Sequence, residues 1–354
     1  MDKDAQSTPE HRIQVGSGPE GRRFIAGLYA LWRQFWFVLC LGLAVLLAAR
    51  APSVGSPHGL LHASSWSWLI VPTMFTFSGL LLRTHEIRAA AADWRLHVLT
   101  QGYNLLVLPL LFWGAAILLA QAHLDASLCC GLIVLGALST TTTTGVAFTR
   151  EAGGDEAGAL FNATLGSLLG VVATPLFILA ATGRSGQLPV LEVMGKLVVQ
   201  VVVPIIAGQL IQLVIPKALS RARKALSLAG MLLLLLLVYL VFCASLEGGL
   251  GASAGQITLI AVLVVVLHAV AIAGAVQASS WPVWRLSRTR RTAAVICSTQ
   301  KTAALGLPLL LVVFGGDPAL GLIALPLLIY HPLQLLAASI MVPWWKRWNG
   351  AVEG

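Results

Sequence analysis

The chain has 354 residues, of which 57% are apolar and only 10% charged, with a formal net charge of +9 and a mean hydropathy of +0.85. An ordinary soluble domain is about one quarter charged, so a soluble globular protein is excluded. The positive charge lies in short segments between apolar runs, which is a topology signal rather than a nucleic-acid footprint, and no nucleic-acid partner is expected.

Residues 1–33 are polar, include Pro9, Gly16, Gly18, Pro19 and Gly21, and lack the apolar core of a secretory signal, so a flexible cytoplasmic tail is expected there. Ten apolar runs follow, at about 34–50, 66–82, 94–119, 127–147, 157–182, 189–214, 226–246, 257–281, 291–313 and 319–343, with a second cytoplasmic tail at 344–354. Each has the length a helix needs to cross roughly 30 Å of hydrocarbon at 1.5 Å per residue. The expected fold is an all-α polytopic membrane protein with ten transmembrane helices in a lipid bilayer. Of the 23 Lys and Arg, 19 fall in one set of connecting segments, only Arg50 and Arg184 in the opposite set, and Lys196 and Lys301 within spans. The positive-inside rule then places both termini in the cytoplasm, for a multi-pass protein of the plasma or bacterial inner membrane. A five-span half at 34–182 repeated at 189–343 must be inverted, because an odd number of crossings reverses direction. An offset of 157 sets Thr142 on Thr299 and Pro175 on Pro332.

Span three carries His97, Gln101 and Asn104 on one helical face, with Pro109 beyond. Span four holds the run Ser139 to Thr144 followed by Gly145, and span nine holds Cys297-Ser298-Thr299-Gln300-Lys301-Thr302. Both patches form helix poorly and lie at bilayer depth, where unwound backbone is tolerated only if buried in protein or lining a watery cavity. Broken helices are expected at both, against the alternative that the hydroxyls bond carbonyls one turn back and the helices continue. Span five adds Asn162, Thr164 and Ser167, and span ten adds Tyr330, His331 and Gln334, stripes that read first as interhelical glue. Gly166 and Gly170 are spaced for close packing, and Gly153-Gly154-Asp155-Glu156 reads as a loop capping span five. Lys301 is the strongest single clue, since an ionisable group near mid-membrane costs about 2.5–3.5 kcal/mol on insertion scales and marks a pathway or a buried pair. Lys196, one turn after Glu192 near a span end, reads as a snorkelling pair. The five cysteines, at 40, 129, 130, 243 and 297, lack metal spacing and read as reduced packing residues. No nucleotide-binding loop, HExxH or nucleophile elbow is present, so neither an enzyme nor an ATP-driven pump is expected, and no cofactor.

These residues resemble the bile-acid:sodium symporter superfamily, in particular its sodium/bile acid cotransporter 7-like branch. The resemblance rests on Phe77-Ser78-Gly79-Leu80 with Thr84 and Glu86, on Gly154 to Gly170 with Phe161-Asn162, on Cys297-Ser298-Thr299 through Lys301 to Gly306-Leu307-Pro308, and on Pro326 to Pro332. It implies two inverted five-helix repeats and a panel plus core domain in which helices four and nine break and cross. Thr143, Thr144 and Gly145 then fall at the first crossing, Asn104 where sodium-coupled members place a Gln before the Pro, and Gln300 on their span-nine Gln. Those members carry a Glu where this chain has Ile296, an Asn at Gly145 and an Asn at Lys301, so the resemblance implies an incomplete sodium site. Lys301 holds the position of a sodium ion, titrates during transport, or pairs with an anionic substrate; the sequence leaves all three open, and with them sodium or proton coupling.

The expected function is secondary transport by alternating access, with a small-molecule or ion substrate, an organic anion foremost. Candidate substrate or ion-binding residues are Asn104, Thr142, Thr143, Thr144, Asn162, Ser167, Gln300, Lys301, Thr302 and His331. The rival expectation is a membrane regulator of ion (calcium) homeostasis without net transport, which a dry, occluded crossing favours.

Overall fold

A computed structural model describes residues 36–56, 59, 63–81, 92–182, 195–196, 198–247 and 252–350. The expected tail at 1–33, Thr84 and Glu86, and the Glu192 partner of Lys196 lie outside the described residues. The chain divides into Met1–Cys40 and Leu41–Gly354. In the first unit, residues 36–40 are helical and the rings of Trp36 and Phe37 meet edge to face, centroids 6.0 Å apart.

The second unit holds the helices that build the site. Helix α1 (Ala63–Leu81) precedes α2 (Trp94–Gly102), a π-helical turn at Tyr103–Val107 and α3 (Leu108–Gln121). Then come α4 (Ala126–Ala137), α5 (Thr142–Glu151) and α6 (Glu156–Thr182). A second π-helical turn, Val198–Val202, leads into α7 (Val203–Val214), followed by α8 (Pro216–Glu247) and α9 (Ala254–Ser279). The chain closes with α10 (Arg288–Thr299), α11 (Ala303–Phe314) and α12 (Leu320–Gly350). Every regular element among the described residues is helical.

Six stretches are long and apolar enough to cross a membrane: Trp94–Gln121, Glu156–Ala181, Arg221–Glu247, Ala254–Ser279, Arg288–Phe314 and Leu320–Gly350. The bent pair α4 and α5, at 58° to each other, makes a seventh, and Trp36–Arg50, Trp68–Leu81 and Val198–Val214 are shorter apolar helices. Helix α12 continues to Gly350, through most of the segment expected to be a tail. The surface is inverted relative to a soluble protein. Leu213, Val214 and Ile340 are 75%, 79% and 69% exposed, while Asn104, Lys301 and Gln334 are fully buried, the distribution that lipid outside and polar chemistry inside require.

Short polar residues set the helix ends. Asp125 accepts from Ser127 N and Leu128 N to start α4, and Asp155 Oδ1 accepts from Gly158 N at 2.9 Å to start α6, as the expected capping loop requires. Gly153 in that loop has φ +69°, a conformation glycine adopts without strain. Helices α1, α7 and α8 pack together as one wall, whereas α4 lies against α3, α6 and α12, and α10 against α2, α5, α6 and α9. Gly166 and Gly170 on α6 admit the chain that leaves α4: a Cβ on Gly170 lies 2.7 Å from Ser139 Oγ, and one on Gly166 lies 3.2 Å from Thr140 Cγ2.

Substituting Gly170→Ala is therefore expected to destabilise the fold by about 1–3 kcal/mol through overpacking. The additional change Ser139→Gly should recover most of the loss. Unfolding temperatures of both variants in detergent check this, and no recovery in the double variant would contradict the contact.

Candidate functional site

Two interruptions meet inside the bundle. Helix α4 ends at Ala137 and α5 starts at Thr142, while α10 ends at Thr299 and α11 starts at Ala303. The alternative of continuous helices through both patches is thus excluded. Thr142 opens its second half-helix whereas Thr299 closes its first, so an offset of 157 does not align the two breaks. The first crossing is formed by Leu138 to Thr141, and Thr143, Thr144 and Gly145 stand in the first turn of α5 instead. The hydroxyl run carries no internal mark of where the helix resumes.

Several of the backbone groups freed at these breaks find partners in other helices. Thr302 N donates to Ser139 O at 3.0 Å, joining the two interruptions directly. Thr174 Oγ1 donates to Ala137 O at 2.7 Å, Asn104 Nδ2 to Ser298 O at 2.8 Å, and the Tyr330 hydroxyl to Thr299 O at 2.6 Å. Gln334 acts as a surrogate peptide group: its Oε1 accepts from Lys301 N at 2.7 Å and its Nε2 donates to Lys301 O at 2.8 Å. Since the Tyr330 hydroxyl spends its proton on Thr299 O, it accepts from His268 Nδ1 at 2.8 Å, which fixes that ring with its proton on Nδ1.

The Lys301 ammonium takes three more carbonyls. Its Nζ donates to Leu138 O at 2.7 Å, Gly136 O at 2.9 Å and Asn104 O at 3.1 Å, and no carboxylate faces it among the described residues. Two of these carbonyls end α4, the negative pole of that helix. The third is released by the π-helical turn: Leu108 N bonds Tyr103 O, five residues back, and the next donor in that register is Pro109, which has none. Snorkelling of Lys301 is ruled out by its complete burial.

A cavity of about 610 Å³ opens beside this crossing, between α1 and α8 on one side and α5 and α6 on the other. Its polar floor carries Thr141, Thr142, Thr143, Thr164, Ser167 and Thr302. Apolar side chains line its walls, Met74, Phe77, Leu160, Val171, Met231 and Leu234 among them. Arg150, Arg223 and Lys224 also line it, with Glu156 as the carboxylate; Arg150 Nε donates to Glu156 Oε2 at 2.7 Å. A second cavity of about 20 Å³ is lined by His268, Ile296, Thr299, Gln300 and Gln334.

The candidate residues therefore separate into two sets. Thr142, Thr143, Ser167 and Thr302 face the large cavity. Asn104, Asn162, Lys301 and His331 are buried in the network behind it: Asn162 Oδ1 accepts from Gln101 Nε2 at 3.2 Å, and His331 Nδ1 accepts from Gln334 Nε2 at 3.1 Å. Thr144 and Gln300 connect the breaks, the hydroxyl donating to Gln300 Oε1 at 3.1 Å. Gly145 is buried with Thr140 Oγ1 3.9 Å from where a Cβ would lie, and Ile296 lines the small cavity beside Thr299 and Gln300. Gln334 and Tyr330 were legible only as glue, and Arg223 and Lys224 only as topology charges; the second pair's place on the cavity wall has no sequence signal.

An apolar exterior and a polar interior built on two interrupted helices define a multi-pass membrane protein with a cavity that reaches the crossing of those helices. The chain belongs to the SBF-like CPA transporter family of the bile acid:sodium symporter superfamily, whose family model matches residues 35–347. It is 33% identical to sodium/bile acid cotransporter 7 of Mus musculus over 326 residues, covering 89% of this chain and 94% of the relative. The Danio rerio protein of the same name is 31% identical over 332 residues, 91% and 96% of the two chains. An uncharacterized protein of Pseudomonas aeruginosa is 30% identical over 318 residues, 88% and 92%.

Replacing Gln334→Leu leaves the N–H and C=O of Lys301 unpaired at bilayer depth, an expected loss of about 1–3 kcal/mol for each group. Gln334→Glu keeps the acceptor and should lose less. Thermal unfolding in detergent ranks the two, and equal stability of Gln334→Leu and wild type would refute the clamp.

Proposed function

We propose that this protein is a secondary transporter of an amphipathic organic anion that works by alternating access, with Lys301 standing in for a coupling cation. The observation that carries this is the large cavity ending on the two helix breaks. Its apolar walls suit a hydrocarbon body, its hydroxyl floor suits polar substituents, and Arg150, Arg223 and Lys224 against Glu156 among the described lining residues suit an anionic group. The relatives' printed names, sodium/bile acid cotransporter, fit a substrate of this kind. A cavity that reaches Thr142 and Thr302 also speaks against a dry, occluded crossing, and so favours transport over a purely regulatory membrane protein.

The seven candidate spans and three shorter apolar helices support the ten-helix, inverted-repeat arrangement, with halves at 34–182 and 189–343. The wall of α1, α7 and α8 corresponds to a panel, and the helices around the breaks to a core that moves against it. Arg150, Arg223 and Lys224 belong to the Lys- and Arg-rich side, so the cavity opens toward the cytoplasm.

Three carbonyls around one ammonium are the oxygen cage that a hard cation would take. A sodium ion added beside that ammonium is repelled, and Ile296 provides no carboxylate to offset it. Transport is accordingly independent of sodium, with Thr142, Thr143, Ser167 and Thr302 touching substrate while Asn104, Asn162, Gln300 and His331 hold the crossing.

The test is saturable thermal stabilisation and proteoliposome uptake with a panel of amphipathic carboxylates and sulfonates, a bile acid included. At least one should stabilise the protein and accumulate, without dependence on sodium at constant ionic strength; no response across the panel, or uptake that requires sodium, would count against the proposal. The double variant Arg223→Gln/Lys224→Gln is expected to weaken binding about tenfold or more with the fold intact. For Lys301→Met, which preserves the stem's packing but leaves three carbonyls without a donor, the unfolding temperature should fall and the protein that remains folded should show no uptake, and Lys301→Arg should also fail because a planar fork does not fit a site built for a compact ammonium. Unchanged uptake in Lys301→Met would reduce Lys301 to a structural pin.

A further inference from the structure

We propose that the end of α12 and the facing residues of α10 form a binding site for the headgroup of an anionic phospholipid. Helix α12 presents Leu336, Ile340 and Trp344 outward, 50%, 69% and 51% exposed. Their spacing of four residues puts them in one stripe, and the next member of that stripe is Trp348. Here the surface changes chemistry. The guanidinium carbons of Arg288 and Arg291 stand 5.5 Å and 5.3 Å from the centroid of the Trp348 ring. That ring is parallel to Trp344, 2° between planes and 6.2 Å between centroids, and Trp345 meets both edge-on at 4.8 Å and 5.1 Å. Arg288 Nη1 also donates to Trp348 O at 3.1 Å, so the cations are held by the aromatic group rather than swinging in solvent.

The dimensions fit one lipid leaflet. From Leu336 to Trp348 the helix rises about 18 Å at 1.5 Å per residue, against roughly 15 Å for half of the hydrocarbon core. An acyl chain lying along the stripe therefore brings its phosphate level with Arg288 and Arg291, beside an indole cluster of the type that sits at the membrane–water boundary. Charge selects the headgroup. Asp93 is taken up by Arg290 at 2.9 Å, and Arg288, Arg291, Lys346 and Arg347 have no carboxylate partner among the described residues. A zwitterionic headgroup gains little from such a field, whereas an anionic one gains from each cation within reach. Continuity with the lipid-facing stripe favours a lipid over an acidic peptide, and the inference does not depend on what the cavity carries.

The full-length protein in detergent is titrated with dioleoyl phosphatidylglycerol, dioleoyl phosphatidylcholine and soluble glycerol phosphate while its unfolding temperature is followed. Phosphatidylglycerol should act at about tenfold lower concentration than phosphatidylcholine, and glycerol phosphate alone should do nothing because the chain supplies part of the binding. The double variant Arg288→Gln/Arg291→Gln should lose the preference while keeping the response to phosphatidylcholine, and Arg50→Gln on the opposite side should retain it. Equal action of the two lipids, a preference that survives in the double variant, or full stabilisation by glycerol phosphate would each overturn the site. If the double variant fails to fold, native mass spectrometry of the wild type decides: retention of phosphatidylglycerol after phosphatidylcholine has dissociated supports the site, and simultaneous loss overturns it.

Discussion

Backbone that leaves its helix at bilayer depth finds no water, so every freed N–H and C=O must be answered by another part of the protein. This structure breaks two spans side by side, meets part of that demand with a handful of side chains, and leaves Thr141, Thr142 and Thr302 on the cavity. Lys301 takes carbonyls from Gly136, Leu138 and Asn104, and Gln334 takes the backbone of Lys301 itself. The arrangement is circular: the residue that satisfies the first break stands in the second, and its own peptide is satisfied from α12. Remove one member and the cost of the rest is exposed.

Burying an ammonium without a carboxylate is expensive, and what offsets it here is geometry rather than countercharge. Carbonyl dipoles at the end of α4 and one released from the π-helical turn converge on Nζ. Helices α2, α4 and α10 are thereby tied by a single charged atom. The wall of α1, α7 and α8 shares none of these bonds, and the large cavity lies along the boundary between them. The proposed rocking of one helix group against the other places its boundary along this cavity.

The all-helical fold was legible because length and hydropathy of a span are properties of a contiguous segment. The two polar patches were legible for the same reason, and both interruptions lie in them, although the Thr142–Gly145 stretch proved helical and the crossing fell four residues earlier. What could not be read was reciprocity. Asn104 stood out as an amide on span three, yet its carbonyl is what Lys301 uses, and Gln334 looked like one more polar residue in a stripe. Arg223 and Lys224 were counted as topology charges, since nothing local shows that α8 turns them toward a cavity. Pairings between distant spans leave no trace in the period of either one.

The π-helical turn at Tyr103–Val107 has a consequence for the length of the chain. A proline removes one donor, and in regular α-helix Pro109 would strand the carbonyl of Leu105, four residues back. The wider turn moves the vacancy to Asn104, about 100° around the helix axis. Deleting one of residues 105–107 would thus close the turn to regular α-helix with the vacancy still on Asn104, now four residues before the proline, whereas closing the turn at the present length would move it to Leu105 and away from Lys301. The register of one span, set by one surplus residue, determines which oxygen the buried cation meets.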